Sequence, residues 1–302
     1  MLLQNLQKRK LISPPLWLCD NTHYLTIMGS HSYGVADTHV SKDLPDYDYY
    51  GFCIPPKDII FPHLAGEIKG FGTQAQGFDQ FLATGLEDTD AKKKYDFQVF
   101  NIVKYFELCR NNNPNMIDSL FTPLECITHV TVIGQLVRDN RKLFLSKLAF
   151  HRFRGYAWAQ FKKIENKNPV GKRKEIVEKH GYDVKFAYHI VRLLDECEQI
   201  LMTGDLDLRR SKEVMKAVRR GEWTLEQIQE WLVKKDATLE DVYNKSELPY
   251  KAPEDKLKEL LLNCLEHHYG SLKGAYIEQD QYLNALKDID VVLQKHRSVM
   301  YN

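Results

Sequence analysis

The sequence predicts an α+β protein, with a small sheet in residues 1–130 and a helical region over residues 131–302. Three observations predict it. Two apolar runs rich in β-branched and aromatic residues, 24–28 and 49–54, flank a turn that begins at Gly29-Ser30. From about residue 130 the apolar period becomes helical throughout. Within that region Val184, Ala187, Ile190, Val191, Leu194, Cys197 and Leu201 form one stripe behind Asp183, a good cap.

Taken in order, residues 1–10 suit a short amphipathic helix, and Pro14-Pro15 ends it. A strand over 24–28 runs into Gly29-Ser30, with a second glycine at Gly34. Asp46 and Asp48 lead into the second strand, which Pro55-Pro56 ends. Residues 57–95, rich in Gly, Lys and Asp, read as a flexible loop over the site. Residues 95–121 read as a strand or turn entering a helix. Val99, Ile102, Val103, Phe106 and Leu108 keep the helical period, and residues 111–114 are a strong stop. Residues 138–174 carry twelve Lys or Arg against Asp139 and Glu165, with aromatics interleaved. Such a pattern can bind a phosphate chain, but a solvated helix pair with a buried aromatic face is the simpler account. Arg152 and Arg154, beside a turn expected at Gly155-Tyr156, are the exceptions. The tail has amphipathic segments at 213–220, 225–235 and 253–268, and His267-His268 reads as surface.

Composition narrows the function. At 43% hydrophobic and 27% charged, the chain fits neither a disordered nor a membrane class. A net charge of +1 gives no global argument for nucleic acid. The six cysteines are scattered, with no C-x-x-C pair, so a zinc site and a disulfide framework are both excluded, and buried thiols are expected. No signal-peptide pattern and no run of transmembrane length is present, and a cytoplasmic protein is expected.

The chemistry is read from two patterns. On a strand, i and i+2 share a face, so Asp46 and Asp48 stand together. Two like charges on one face call for a cation between them. A glycine turn whose N–H groups can approach a phosphate lies beside them, which suits phosphoryl or nucleotidyl transfer. The second pattern is Lys185, His189 and Arg192, a polar stripe at i, i+4 and i+7 with Glu196 continuing it. It is either an anion site or an exposed helix face, and spacing alone favours the exposed face.

The order strand, Gly29-Ser30, helix, then Asp46-x-Asp48 resembles the nucleotidyltransferases of the DNA polymerase beta superfamily. Tyr33-Gly34 and Gly51 extend the match to one bacterial and phage branch. Two further blocks follow in the same order. One has an acid, a helix, an Asn-Pro turn and a second acid, which correspond to Asp96 and Asp118. The other resembles GYD-x-K-x-A-x-H-x-x-RLL and is met by Gly181, Tyr182, Asp183, Lys185, Ala187, His189, Arg192, Leu193 and Leu194. Together they cover about residues 14–205. The chain departs from the branch in a longer loop after Gly34, in Pro45 where a serine is common, and in Tyr50 where an arginine is common. Asp43 lies near enough to shift the register of the pair.

The resemblance implies a mixed sheet and a catalytic domain over 1–130, closed over by a helical domain over 131–302. It implies Mg²⁺ or Mn²⁺ held by Asp46, Asp48 and a third carboxylate. Asp96 is the choice and Asp118 the rival, and a helix cap explains Asp96 equally well. It further implies an NTP substrate, with Gly29, Ser30, Tyr33 and Gly34 at the phosphates and Lys185, His189 and Arg192 neutralising charge. The implied acceptor is an RNA end, such as the 3′ end of a tRNA. Alternatives are AMPylation of a partner protein, as in antitoxins of this superfamily, a small molecule such as an aminoglycoside, or a nucleotide- or RNA-binding module without catalysis.

Overall fold

The computed structural model describes residues 1–36, 44–61, 77–166, 170–270 and 289. Among these, five strands form one mixed sheet in the order β3-β4-β2-β1-β5. The strands are β1 (Thr22–Ile27), β2 (Asp46–Cys53), β3 (Gln80–Asp88), β4 (Lys93–Asn101) and β5 (Ile127–Val130). β2 and β4 run parallel, and the other neighbours are antiparallel.

Period-two alternation divides the strands between two cores. Leu25, Tyr49, Phe97 and Val99 face α1 (Leu2–Lys8), where Leu3 and Leu6 meet them. Tyr24, Phe52 and Phe100 face the helices on the other side. Each such fully buried side chain contributes about 1.5–3 kcal/mol. Gly51 sits where β1 and β2 cross closely, since a Cβ there would lie 2.0 Å from the Tyr24 carbonyl oxygen.

The helical layer begins with α2 (Lys57–Ile60), α3 (Ile102–Arg110) and α4 (Pro114–Phe121). α4 starts on proline, with the Asn113 side chain accepting the Met116 N–H. α5 (Val132–Asp139), α6 (Leu148–Asn166), α7 (Lys172–His180), α8 (Val184–Thr203), α9 (Lys212–Arg219), α10 (Leu225–Lys245) and α11 (Glu254–Tyr269) follow. α8 is the central helix. The Asp183 carboxylate accepts the N–H groups of Lys185 and Phe186 at its start, and Gly204 ends it with φ +62°. Ala187, Ile190, Leu194 and Cys197 bury its apolar stripe. The apolar cluster under the helices takes residues from both sides of position 130, from Tyr24 and Ile117 to Leu193 and Leu260. All six cysteines are free and buried. No helix among the described residues is long and apolar enough to cross a membrane.

Several expectations are corrected. The loop expected over 57–95 is a hairpin from residue 80 on, β3 and β4, and β4 supplies the strand expected from residue 95; residues 62–76 lie outside the described residues. A bulge at Thr84-Gly85 breaks the apolar alternation of β3, and so hides the strand from a period-two reading. Asp96 lies within β4 and caps nothing; the α3 cap is Asn101, whose side chain accepts the Val103 N–H. The helix expected after Gly29-Ser30 is a turn through Gly34, and residues 37–43, Asp43 among them, lie outside the described residues. Gly155 and Tyr156 are inside α6 and make no turn. Arg154 pairs with Asp236 on α10 at 2.5 Å. His268 is half-buried, its Nδ1 3.0 Å from Nε2 of His23 on β1.

Candidate active site

The parallel pairing of β2 and β4 sets Asp48 opposite Asp96 and Asp46 opposite Lys94. Partners in register on adjacent strands share a face. Asp46, Asp48 and Asp96 therefore project from the face that carries Phe52 and Phe100 further along, at the sheet end where the helices leave an open cleft. Burial pushes the Asp48 carboxyl up to about 6, Asp46 and Asp96 push in the same direction, and Lys185 opposes them. Asp96 accepts the Gly85 N–H at 2.5 Å, a donor that the β3 bulge turns toward it. Among the described residues, no three His, Cys, Asp or Glu side chains are gathered tightly enough to form a ready metal site. Asp46 and Asp48, the two carboxylates that line the cleft, are oxygen donors of the kind a hard divalent cation takes.

Beside the carboxylates, residues 29–35 make a compact turn. Gly29 has φ +68°, and a Cβ there would lie 2.5 Å from Asp48 Oδ2, so only glycine brings this backbone against the carboxylate. The Gly29 carbonyl accepts from the Tyr33 N–H and the Ser32 hydroxyl, and the Ser30 carbonyl accepts from the Val35 N–H. The N–H groups of Ser30, His31 and Ser32 have no acceptor among the described residues. Ser32 is fully buried, so the donors that reach the cleft are those of Ser30 and His31, and consecutive N–H groups of this kind make an anion-binding concavity. Gly34, at φ +69°, closes the turn.

α8 forms the facing wall. Lys185 is exposed at the mouth, His189 is half-buried, and Arg192 is buried at the base. Burial holds the His189 imidazole well below its ordinary pKa, and the cations of Arg192, Lys185, Arg219 and Arg173 add to this. It is neutral at pH 7, a hydrogen-bonding group and not a cation. Arg192 Nη1 is taken up by Asp118, by the Tyr33 hydroxyl at 2.6 Å and by Glu196 at 3.4 Å. The Tyr33 hydroxyl donates to Asp118 at 2.8 Å. Burial pushes the Glu196 carboxyl well above its ordinary range, against the pull of Arg192. Asp118 is fully buried in this network.

The cleft so enclosed is about 630 Å³, and Gly29, Ser30, Asp46, Asp48, Lys185 and His189 all line it. That volume is within the range of small-molecule sites. Lys94, Tyr188 and Arg219 line it too and were missed from the sequence. Lys94 fell in the stretch read as loop. Arg219 comes from α9, where no motif marks it. Tyr188 precedes a singled-out residue, but only the packing of α8 turns it inward.

The family described as RNA repair pathway DNA polymerase beta family (RlaP) matches residues 3–287. No curated protein and no solved structure matches the chain.

Proposed function

This chain belongs to the RNA repair pathway DNA polymerase beta family, and we propose that it transfers a nucleoside monophosphate from an NTP to a hydroxyl at an RNA end. The observation that carries the proposal is the juxtaposition, in one cleft, of Asp46 and Asp48 with the N–H groups of Ser30 and His31, which have no acceptor among the described residues. The family's association with RNA repair supports RNA as the acceptor.

Asp46, Asp48 and Asp96 would hold Mg²⁺ or Mn²⁺, with Asp96 giving up the Gly85 N–H to do so. The ion, when bound, supplies positive charge to the triphosphate and lowers the pKa of the acceptor hydroxyl. The N–H groups of Ser30 and His31 hold the β- and γ-phosphates, and Gly29 lets the backbone come close enough. Lys185 offsets phosphate charge at the mouth of the cleft. His189, neutral, orients a phosphate oxygen or the acceptor by hydrogen bonding. Arg192 acts through Tyr33 and Asp118, fixing the turn from below. In the reaction the acceptor oxygen forms a bond to the α-phosphorus, the bond from that phosphorus to the β-bridging oxygen breaks, and pyrophosphate leaves. An intracellular RNA-repair setting, in the cytoplasm, accords with this substrate.

The test is incubation of the protein with Mg²⁺ or Mn²⁺, each α-³²P-labelled NTP in turn, and a pool of tRNA and short RNAs. The control is Asp46→Ala/Asp48→Ala. Label on RNA from the wild type alone is the expected result, and it also names the base. Label on protein bands alone would replace RNA with a protein acceptor. NTP binding without transfer to either would reduce the chain to a nucleotide-binding module.

A further inference from the structure

Arg209 lies between α8 and α9, in a segment for which the nucleotidyltransferase reading has no use. Its position is well determined. Leu206 and Leu208 are buried on either side of Asp207. Gln199 on α8 donates to the Asp207 carbonyl at 3.2 Å and accepts the Asp207 N–H at 3.1 Å. The Arg209 N–H donates to the Asp207 carboxylate at 2.9 Å. From this base the side chain reaches back across the fold to the glycine turn. Its Nε donates to the Ser32 carbonyl and its Nη2 to the His31 carbonyl, both at 3.2 Å. Its Nη1 is held by Glu125. Gly34 packs on its stem, where a Cβ would meet Arg209 Cδ and Nε at 3.4 Å.

A planar trans peptide points its C=O and N–H in opposite directions. The His31 carbonyl accepts from the Gly34 N–H and from Arg209, both at 3.2 Å, so the Ser32 N–H faces the other way. The Ser30 and Gly29 carbonyls are occupied by the Val35 N–H and the Tyr33 N–H, which directs the N–H groups of His31 and Ser30 likewise. Arg209, together with the Gly34 N–H, thus fixes the end of the turn whose Ser30 and His31 line the cleft.

We propose that Arg209 is a positioning residue for triphosphate binding: by holding the His31 and Ser32 carbonyls, it braces the back of the turn whose Ser30 and His31 N–H groups meet the phosphates, and it ties the α8–α9 segment to the nucleotide site. The proposal rests on the reading of the cleft as an NTP site. Arg209 itself touches no substrate. Losing it frees the turn without altering the carboxylates, so the cost falls on phosphate affinity.

The experiment compares wild type, Arg209→Ala and Arg209→Lys. Equilibrium binding of Mg²⁺–ATP and of adenosine is measured for each, with KM and kcat for whichever NTP the wild type transfers. The expected result for Arg209→Ala is a tenfold or greater rise in the Mg²⁺–ATP Kd and the NTP KM. Adenosine binding and kcat should stay within twofold. Should Arg209→Ala fail to fold, Arg209→Lys carries the test, because one ammonium keeps the charge and cannot span two carbonyls and Glu125. It should show the same shift, smaller. An unchanged Kd and KM overturns the inference, as does a loss confined to kcat and Tm, which is the signature of a merely structural arginine. A wild type that binds Mg²⁺–ATP and transfers nothing defeats the transferase reading alone. The binding comparison then still decides the role of Arg209. A wild type that does not bind Mg²⁺–ATP overturns both.

Discussion

Asp48 is half-buried with Asp46 and Asp96 close by, and burial and both carboxylates raise its pKa to about 6. A carboxylate in that setting is a stability cost that an active site tolerates for its chemistry. Asp48→Asn should therefore raise the Tm of the metal-free protein by about 2–4 °C. The same substitution should lower nucleotidyl transfer on the order of 10³-fold. Thermal melts in EDTA and the labelled-NTP assay check the two halves, and a lower Tm would remove the electrostatic account. Asp46 and Asp48 were legible in the sequence because their spacing needs only the local strand period. Asp96 was legible as a residue but not as a neighbour. Its place beside Asp48 depends on cross-strand register, and no local pattern encodes that register once the Gly85 bulge breaks the alternation of β3.

At the scale of elements, β1 joins β2 to β5 in the sheet, and two of its contacts are open to test. Gly51 on β2 leaves no room for a Cβ against the Tyr24 carbonyl. Gly51→Ala should part the β1–β2 ladder and cost about 3 kcal/mol or more, read as a shift in urea midpoint. The other contact joins β1 to α11. His23 bonds Thr131 through Nδ1 at 2.8 Å and His268 through Nε2 at 3.0 Å. Burial lowers the His23 pKa to about 4, and the neighbouring His268 and His129 add to it. The unfolded chain takes up this proton near pH 6.5 and the folded chain only near pH 4. The contribution of His23 to stability is therefore complete above about pH 6.5. It falls as the pH drops toward 4. Denaturation midpoints from pH 7.5 to 4.5 should decline for the wild type and decline less for His23→Gln; parallel curves would exclude His23 as the cause.

For the whole molecule, the decisive feature is one apolar cluster shared by the sheet, the central helix α8 and the tail helices. The parts expected over 1–130 and 131–302 both contribute to that cluster. They should unfold together. Tyr24, Phe52 and Ile117 lie in the same cluster as Leu193, Leu239 and Leu260, so neither part can expose its face cheaply. Far-UV circular dichroism and tryptophan fluorescence should give coincident urea transitions. Two separated transitions would mean that the shared core is not what couples the parts.

Local order was set by the sequence alone. The glycine turn, the Asp46-x-Asp48 strand and the capped α8 helix each follow from residues within a few positions of one another, because strand period, helix period and capping are short-range physics. Tertiary structure decided what those pieces face. It put Asp96 beside Asp48 and withdrew Asp118 into an ion pair with Arg192. Burial among other cations left His189 neutral. Arg209 came to the back of the glycine turn from 177 residues away, and His268 to His23 from 245 residues away. Register, desolvation and long-range side-chain contact exist only once the chain has closed on itself, so no local reading of the sequence contains them.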